Sequence, residues 1–128
     1  MAERAFPVVC AEDVAATSAF YEELGFERHF QFPPDGEPGY VGLRRGESEL
    51  GVVAADWPRD QYGATVAAGV RFEMFVYVDA VDDVVERLRG RGTEVLREAA
   101  DMPWGERVGY VADPDGNPVA LAQVALGS

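Results

Sequence analysis

One pattern of strand, helix and three strands runs twice through this chain, at an offset of 67 residues. The offset lays Leu24-Gly25-Phe26-Glu27 on Arg91-Gly92-Thr93-Glu94, Val14 on Val81 and Val9 on Val76. Few residues coincide, so the repeat is one of pattern. Such a chain is expected to be α+β: two βαβββ modules, each a mostly antiparallel sheet covered by one helix. With helices outside, the inner faces are expected to form a curved sheet around a shared cleft.

Periodicity assigns the elements. Ala5–Ala11 is short and apolar and is expected to be a strand. Asp13 is the expected N-cap of a first helix that carries Val14, Phe20, Tyr21 and Leu24 and stops at Gly25. Phe26–Phe32 is extended, Pro33–Gly39 is a loop, and Tyr40–Arg44 and Glu49–Ala54 are strands around the turn at 45–48. Ala55–Gly69 is irregular and is expected to connect the modules. Val70–Val78 alternates strictly and predicts a strand with Phe72, Met74, Val76 and Val78 on one face. A second helix over Asp79–Arg91 stops at Gly92. Strands at Thr93–Arg97, Glu106–Ala112 and Pro118–Val124 complete the set, the last two joined by the Asp113–Asn117 turn. One domain covers 1–128, with the first module over about 1–55, a linker over about 56–69 and the second module over about 70–128. Phe20, Tyr21, Phe26 and Phe72 are assigned to the core.

Composition narrows function by exclusion. With 11 basic and 23 acidic residues the net charge is −12, which argues against a nucleic-acid partner and favours, if anything, a cationic ligand. No apolar run reaches the length of a membrane span, and the first residues lack the charged and hydrophobic regions of a signal peptide. One cysteine, Cys10, cannot form an internal disulfide. A cytoplasmic protein is the expectation. Nucleophilic catalysis finds no partners: His29 is the only histidine and is placed on a surface or strand edge, so Ser18, Ser48 and Cys10 lack a base.

Three motifs carry a resemblance: FPVVCAEDVAATSAFYEELGF at 6–26, PGYVGLRRGESEL at 38–50 and PWGERVGYVADPDGN at 103–117. Together they resemble the vicinal oxygen chelate superfamily, which includes glyoxalase I, extradiol dioxygenases and bleomycin-resistance proteins. PWGER ahead of the DPDGN turn looks most like the antibiotic-binding branch. Enzymes of the superfamily hold a divalent metal at four inner strand positions. Carried over, these fall at Phe6, Glu73, Ala120 and within Leu50–Val53. Glu73 alone is a ligand type, far short of the three or four protein ligands such a site requires. No metal and no cofactor are expected.

The cleft is instead expected to be apolar and aromatic. Ala120 and Ala122 are read as an open floor, with Gly109 removing bulk beside them. Phe6, Phe32, Tyr40, Trp57, Tyr62, Phe75, Tyr77, Trp104 and Tyr110 lie in segments expected to rim or line it. Trp104, in a Pro-Trp-Gly loop, resembles a tryptophan that contacts the drug in the antibiotic-binding branch, and Tyr40 resembles an aromatic that stacks on the drug's planar tail in the bleomycin-binding relatives. Glu73 and Arg107 are the expected polar anchors. The resemblance further implies a homodimer with two clefts, with exchange of modules between chains left open. The expected function is non-catalytic sequestration of a large planar antitumour antibiotic of the bleomycin, mitomycin or enediyne type. The alternatives are a metal-independent lyase or isomerase with Glu73 as base, and a small-ligand sensor.

Overall fold

Strand order in the two halves is the same, β1-β4-β3-β2 and β5-β8-β7-β6, with one parallel pair in each four-stranded sheet. A computed structural model describes residues 4–124. The chain divides between Ala67 and Ala68 into two compact units, and each unit carries one βαβββ module.

In the first module β1 (Val8–Ala11) leads into α1 (Val14–Glu22), followed by β2 (Glu27–Phe32), β3 (Tyr40–Arg45) and β4 (Ser48–Ala54). Asp13 opens α1 as its N-cap, its carboxylate accepting from the Ala16 amide at 3.0 Å; this satisfies one of the donors a helix start leaves without a partner. Gly25 follows the helix at φ +93°, a conformation other residues resist. Alternation puts Val9, Val41, Leu43, Leu50 and Val52 under the helix, all buried. Phe20, Tyr21 and Phe26 close that core by edge-on ring contacts, with centroids 5.0 Å apart for Phe20–Tyr21 and 5.9 Å for Tyr21–Phe26.

The segment expected to be irregular contains a helix, α2 (Trp57–Tyr62). Pro58 at its start, Asp60 in its first turn and Gly63 at its left-handed C-cap are ordinary helix punctuation. Six residues are too few for helical periodicity to stand out.

In the second module β5 (Met74–Tyr77) is followed by α3 (Val81–Gly90), β6 (Val95–Asp101), β7 (Arg107–Ala112) and β8 (Pro118–Gln123). β5 begins four residues later than alternation suggests. It pairs in parallel with β8, from Met74 opposite Val119, and β8 opens on Pro118, which has no amide to donate. Upstream of that point the chain runs past the turn, where the Arg71 amide donates to Asn117 Oδ1 at 3.0 Å. Phe72 therefore lies outside the strand and is half-buried rather than core. The turn itself is built on Asp113, whose carboxylate accepts from the amides of Asp115 and Asn117, both at 2.9 Å.

α3 starts at Ala80, which has no capping side chain. Gln123 of β8 substitutes, its Oε1 accepting from the Val81 amide at 2.9 Å. β6 runs on to Asp101 through two register shifts against β7. Gly109 permits close approach there: a Cβ on it would stand 3.2 Å from Val85 Cγ2 and 3.3 Å from the Ala99 backbone. Gly109 thus faces α3, which corrects its expected place on the opposite face.

Candidate functional site

The helix-free face of the first sheet holds a cavity of about 310 Å³. Its lining combines Phe6, Phe30, Tyr40 and Gly42 with Arg4, His29, Glu49 and Leu50. Pairing explains the grouping. Tyr40 lies opposite Val53 and Phe32, and Gly42 opposite Gly51 and Phe30. A register shift between Arg28 and Phe30 then brings His29 to the same side, its Nε2 3.1 Å from where a Gly42 Cβ would be. The Tyr40 ring meets Phe30 edge-on at 5.9 Å.

At the cavity mouth Arg4 grips Glu49 with two hydrogen bonds, at 2.6 and 2.5 Å, while its guanidinium stands 5.0 Å above the Phe6 ring. Glu49 is the more enclosed partner, its side chain 12% exposed, and His29 approaches it at 3.7 Å. The hydrogen bond from Arg4, then Arg4's charge, hold the Glu49 carboxyl below the usual range against the opposing effect of burial. Burial pushes the Tyr40 hydroxyl up. It therefore stays a neutral phenol, able to donate or accept, at physiological pH.

The second module presents exposed aromatic rings on the helix-free face of its sheet. Phe75 and Tyr77 pack against each other at 5.5 Å. Trp104 stands in the β6–β7 turn, 59% exposed. Tyr77 and Trp104 share Glu106: the phenol donates to Oε2 at 2.7 Å and the indole N–H to Oε1 at 2.8 Å. A second hollow of about 300 Å³ lies beside Tyr77, lined also by Val78, Asp79, Gln123 and Val124.

Several expected residues sit elsewhere. Ala120 is fully buried, with Ala122, beneath a cluster of Met102 and Val108 against which Tyr110 packs. The alanines are covered by larger neighbours rather than forming an open floor. Arg107 points to the helix side, donating to Asp82 at 2.8 and 3.0 Å and to Asp101 at 3.2 Å. It therefore does not pair with Glu73, which lies exposed just ahead of β5. Phe32, Trp57 and Tyr62 are exposed, at the end of β2 and on α2, and none lines the cavity. Arg4, His29, Phe30, Glu49 and Glu106 were missed. Of these only Phe30 was readable, by strand alternation from Phe32.

The residues do not fit the divalent metal of superfamily enzymes. Phe6, Ala120 and the Leu50–Val53 stretch offer no side-chain donors, and among the described residues no three His, Cys, Asp or Glu side chains form a metal-holding group.

Residues 5–121 match the Glyoxalase/Bleomycin resistance protein/Dioxygenase superfamily. The chain belongs to this superfamily. Solved structures of the same fold include TioX from Micromonospora sp. ML1, at 21% identity and TM-score 0.76 over 95% of this chain and 98% of that one. The bleomycin resistance determinant encoded on transposon Tn5 matches at 23% identity and TM-score 0.65, over 98% of this chain and all of that one. Lactoylglutathione lyase from Agrobacterium tumefaciens matches at 21% identity and TM-score 0.69, over 95% and 94%. No curated protein matches the sequence. The superfamily thus includes both enzymes and a resistance determinant, and at these identities the likeness carries the fold.

Proposed function

We propose that this member of the superfamily binds a large, partly planar antitumour antibiotic of the bleomycin, mitomycin or enediyne type and leaves it unaltered. The observation that carries this reading is the first module's cavity, walled by Phe6, Phe30 and Tyr40 and edged by the Arg4–Glu49 pair. Its volume, about 310 Å³, is at the small end for ligand sites. It accommodates a fused ring system stacked on the aromatic walls.

Offset stacking contributes roughly 0.5–1.5 kcal/mol per ring pair beyond burial. Two such contacts and burial of the ring system together suit micromolar or tighter binding, about 8 kcal/mol. The net charge of −12 favours a drug with a cationic tail. The donor set, poor in metal ligands, supports binding without chemistry. The working unit in this reading is a cytoplasmic homodimer with two sites.

A fluorescence titration of chelator-treated protein with bleomycin, mitomycin C and an anthraquinone-fused enediyne tests the reading, each drug being recovered for mass analysis. Saturable quenching with unchanged drug is expected. Conversion of a drug overturns it in favour of an enzyme, and Glu73→Gln would then decide whether the exposed Glu73 is the base.

A further inference from the structure

The β6–β7 turn places Trp104 where a loop tryptophan would ordinarily swing. Its backbone is tied down: the Gly105 amide donates to the Met102 carbonyl at 3.0 Å, and the Met102 amide to the Glu106 carbonyl at 2.7 Å. The Glu106 side chain, half-buried, then takes the indole N–H with one oxygen and the Tyr77 hydroxyl with the other. Tyr77 belongs to β5 and Glu106 precedes β7, with β8 lying between them. The phenol therefore spans β8, at the level of Ala122, its register partner. A bulkier residue at 122 would stand in its way.

We propose that Glu106 is a positioning residue: its carboxylate fixes Trp104 and Tyr77 as one rigid aromatic ledge on which a planar, electron-poor ring system of the ligand stacks. The purpose of the ledge rests on the drug-binding reading above; its rigidity does not. Three observations carry the inference. Both rings are about half-exposed, Tyr77 at 47% and Trp104 at 59%, so neither is needed to fill a core. Each spends its one polar hydrogen on the same carboxylate, which leaves the ring faces, not the edges, for a ligand. Phe75 packs against Tyr77 at 5.5 Å and buttresses it. Rings held in place before binding lose little freedom on binding, which raises affinity without adding a contact. The hydrogen bond to Glu106, the largest cause, also raises the Tyr77 hydroxyl above its ordinary range.

The test uses the full chain with Trp57→Phe, which leaves Trp104 as the only tryptophan. Time-resolved anisotropy of Trp104, and spectrophotometric titration of the tyrosines, are read without ligand in the parent, Glu106→Ala, Glu106→Gln and Tyr77→Phe. Glutamine can accept from the indole and donate to the phenol oxygen, so Glu106→Gln should keep the slow anisotropy decay of the parent. Glu106→Ala should show fast local motion of the indole and return one tyrosine to ordinary titration. Unchanged anisotropy in Glu106→Ala would overturn the ledge, as would loss of order in Glu106→Gln equal to that in Glu106→Ala. If Glu106→Ala fails to fold, Tyr77→Phe decides: the ledge predicts an indole more mobile than in the parent, and equal mobility overturns it.

Affinity for the drug that titrates best should fall about ten-fold in Glu106→Ala, the cost of losing one ordered aromatic contact. The loss in Glu106→Ala/Trp104→Ala should be smaller than the two single losses added together, what remains beyond Trp104→Ala being the freed Tyr77 ring. Additive losses would overturn the positioning role. If the parent binds none of the panel, the drug-binding reading fails while the anisotropy still decides whether Glu106 holds the ledge.

Discussion

The Tyr40 hydroxyl lies 2.7 Å from the point that a Cβ on Gly51 would occupy. The ring crosses from β3 onto β4, and glycine is the residue that lets it lie there. The second module meets the same demand at corresponding positions with Ala120 and Ala122, which pair with Phe75 and Tyr77. Small residues on these central strands thus stand beside large rings, Ala120 among them at the position where superfamily enzymes place a ligand.

Gly51→Ala should therefore displace Tyr40, and also crowd Val8 Cγ2, 3.2 Å from the new methyl. Overpacking of this kind costs about 1–3 kcal/mol, read as a lower denaturant midpoint. Tyr40→Phe removes the atom in closest conflict, so Gly51→Ala/Tyr40→Phe should lose less than the two single changes added together. Strict additivity would show that the hydroxyl does not sit over Gly51.

Tyr40→Ala and Trp104→Ala should each weaken drug binding about ten-fold, on the order of 1–2 kcal/mol. Calorimetric titration with the drug that quenches fluorescence most strongly reads the effect. Phe32→Ala is the matched control: Phe32 is exposed, lines no part of the cavity and should leave affinity within about two-fold. A control that falls as far as Tyr40→Ala would move the binding surface out along β2.

The order of elements was legible because alternation and helical spacing are local properties. The failures lie where a distant partner decides. β5 starts late because β8, more than forty residues on, begins with a proline. α2 is too short to imprint a period. At the site, Tyr40 was readable as an aromatic at the start of an inner strand and Phe6 as one beside it, although β1 begins at Val8, later than expected, and leaves Phe6 ahead of the strand. Arg4 and Glu49 meet across 45 residues of sequence. His29 joins them only through a register shift that alternation cannot foresee. Arg107 is different: alternation along β7 already places it with Gly109 and Val111, opposite Tyr110. Its partnership with Asp82 on α3 follows once that face is seen to be the helix side.

Chelation should leave affinity intact. Superfamily enzymes need three or four ligands to hold a metal, and Glu73 alone at the corresponding positions cannot supply them. Titrations before and after dialysis against EDTA, with and without added Zn²⁺, check this. A large loss on chelation, restored by metal, would show that donors from elsewhere complete a site.

Acid should weaken the first module through Glu49, and the sign follows from the Arg4 pair. Hydrogen bonding to Arg4 holds the folded carboxyl below its ordinary range, so in acid the unfolded chain takes up the proton first. Stability from the pair is thus fully present above the usual glutamate value, about 4.3, and is lost as pH falls through the lower folded value. Asp82 behaves likewise, held down first by its hydrogen bond from Arg107, but it is the more exposed carboxylate and more readily screened. Denaturant midpoints at pH 7 and pH 3 separate the two. Glu49→Gln should lower the midpoint at pH 7 yet lose less of it on acidification than the parent does. Arg4→Ala should do the same, because it removes the cause of the shift while leaving the carboxyl. Asp82→Asn should flatten the dependence less than Glu49→Gln. An acid loss in Glu49→Gln equal to the parent's would place the acid sensitivity outside the Arg4–Glu49 pair.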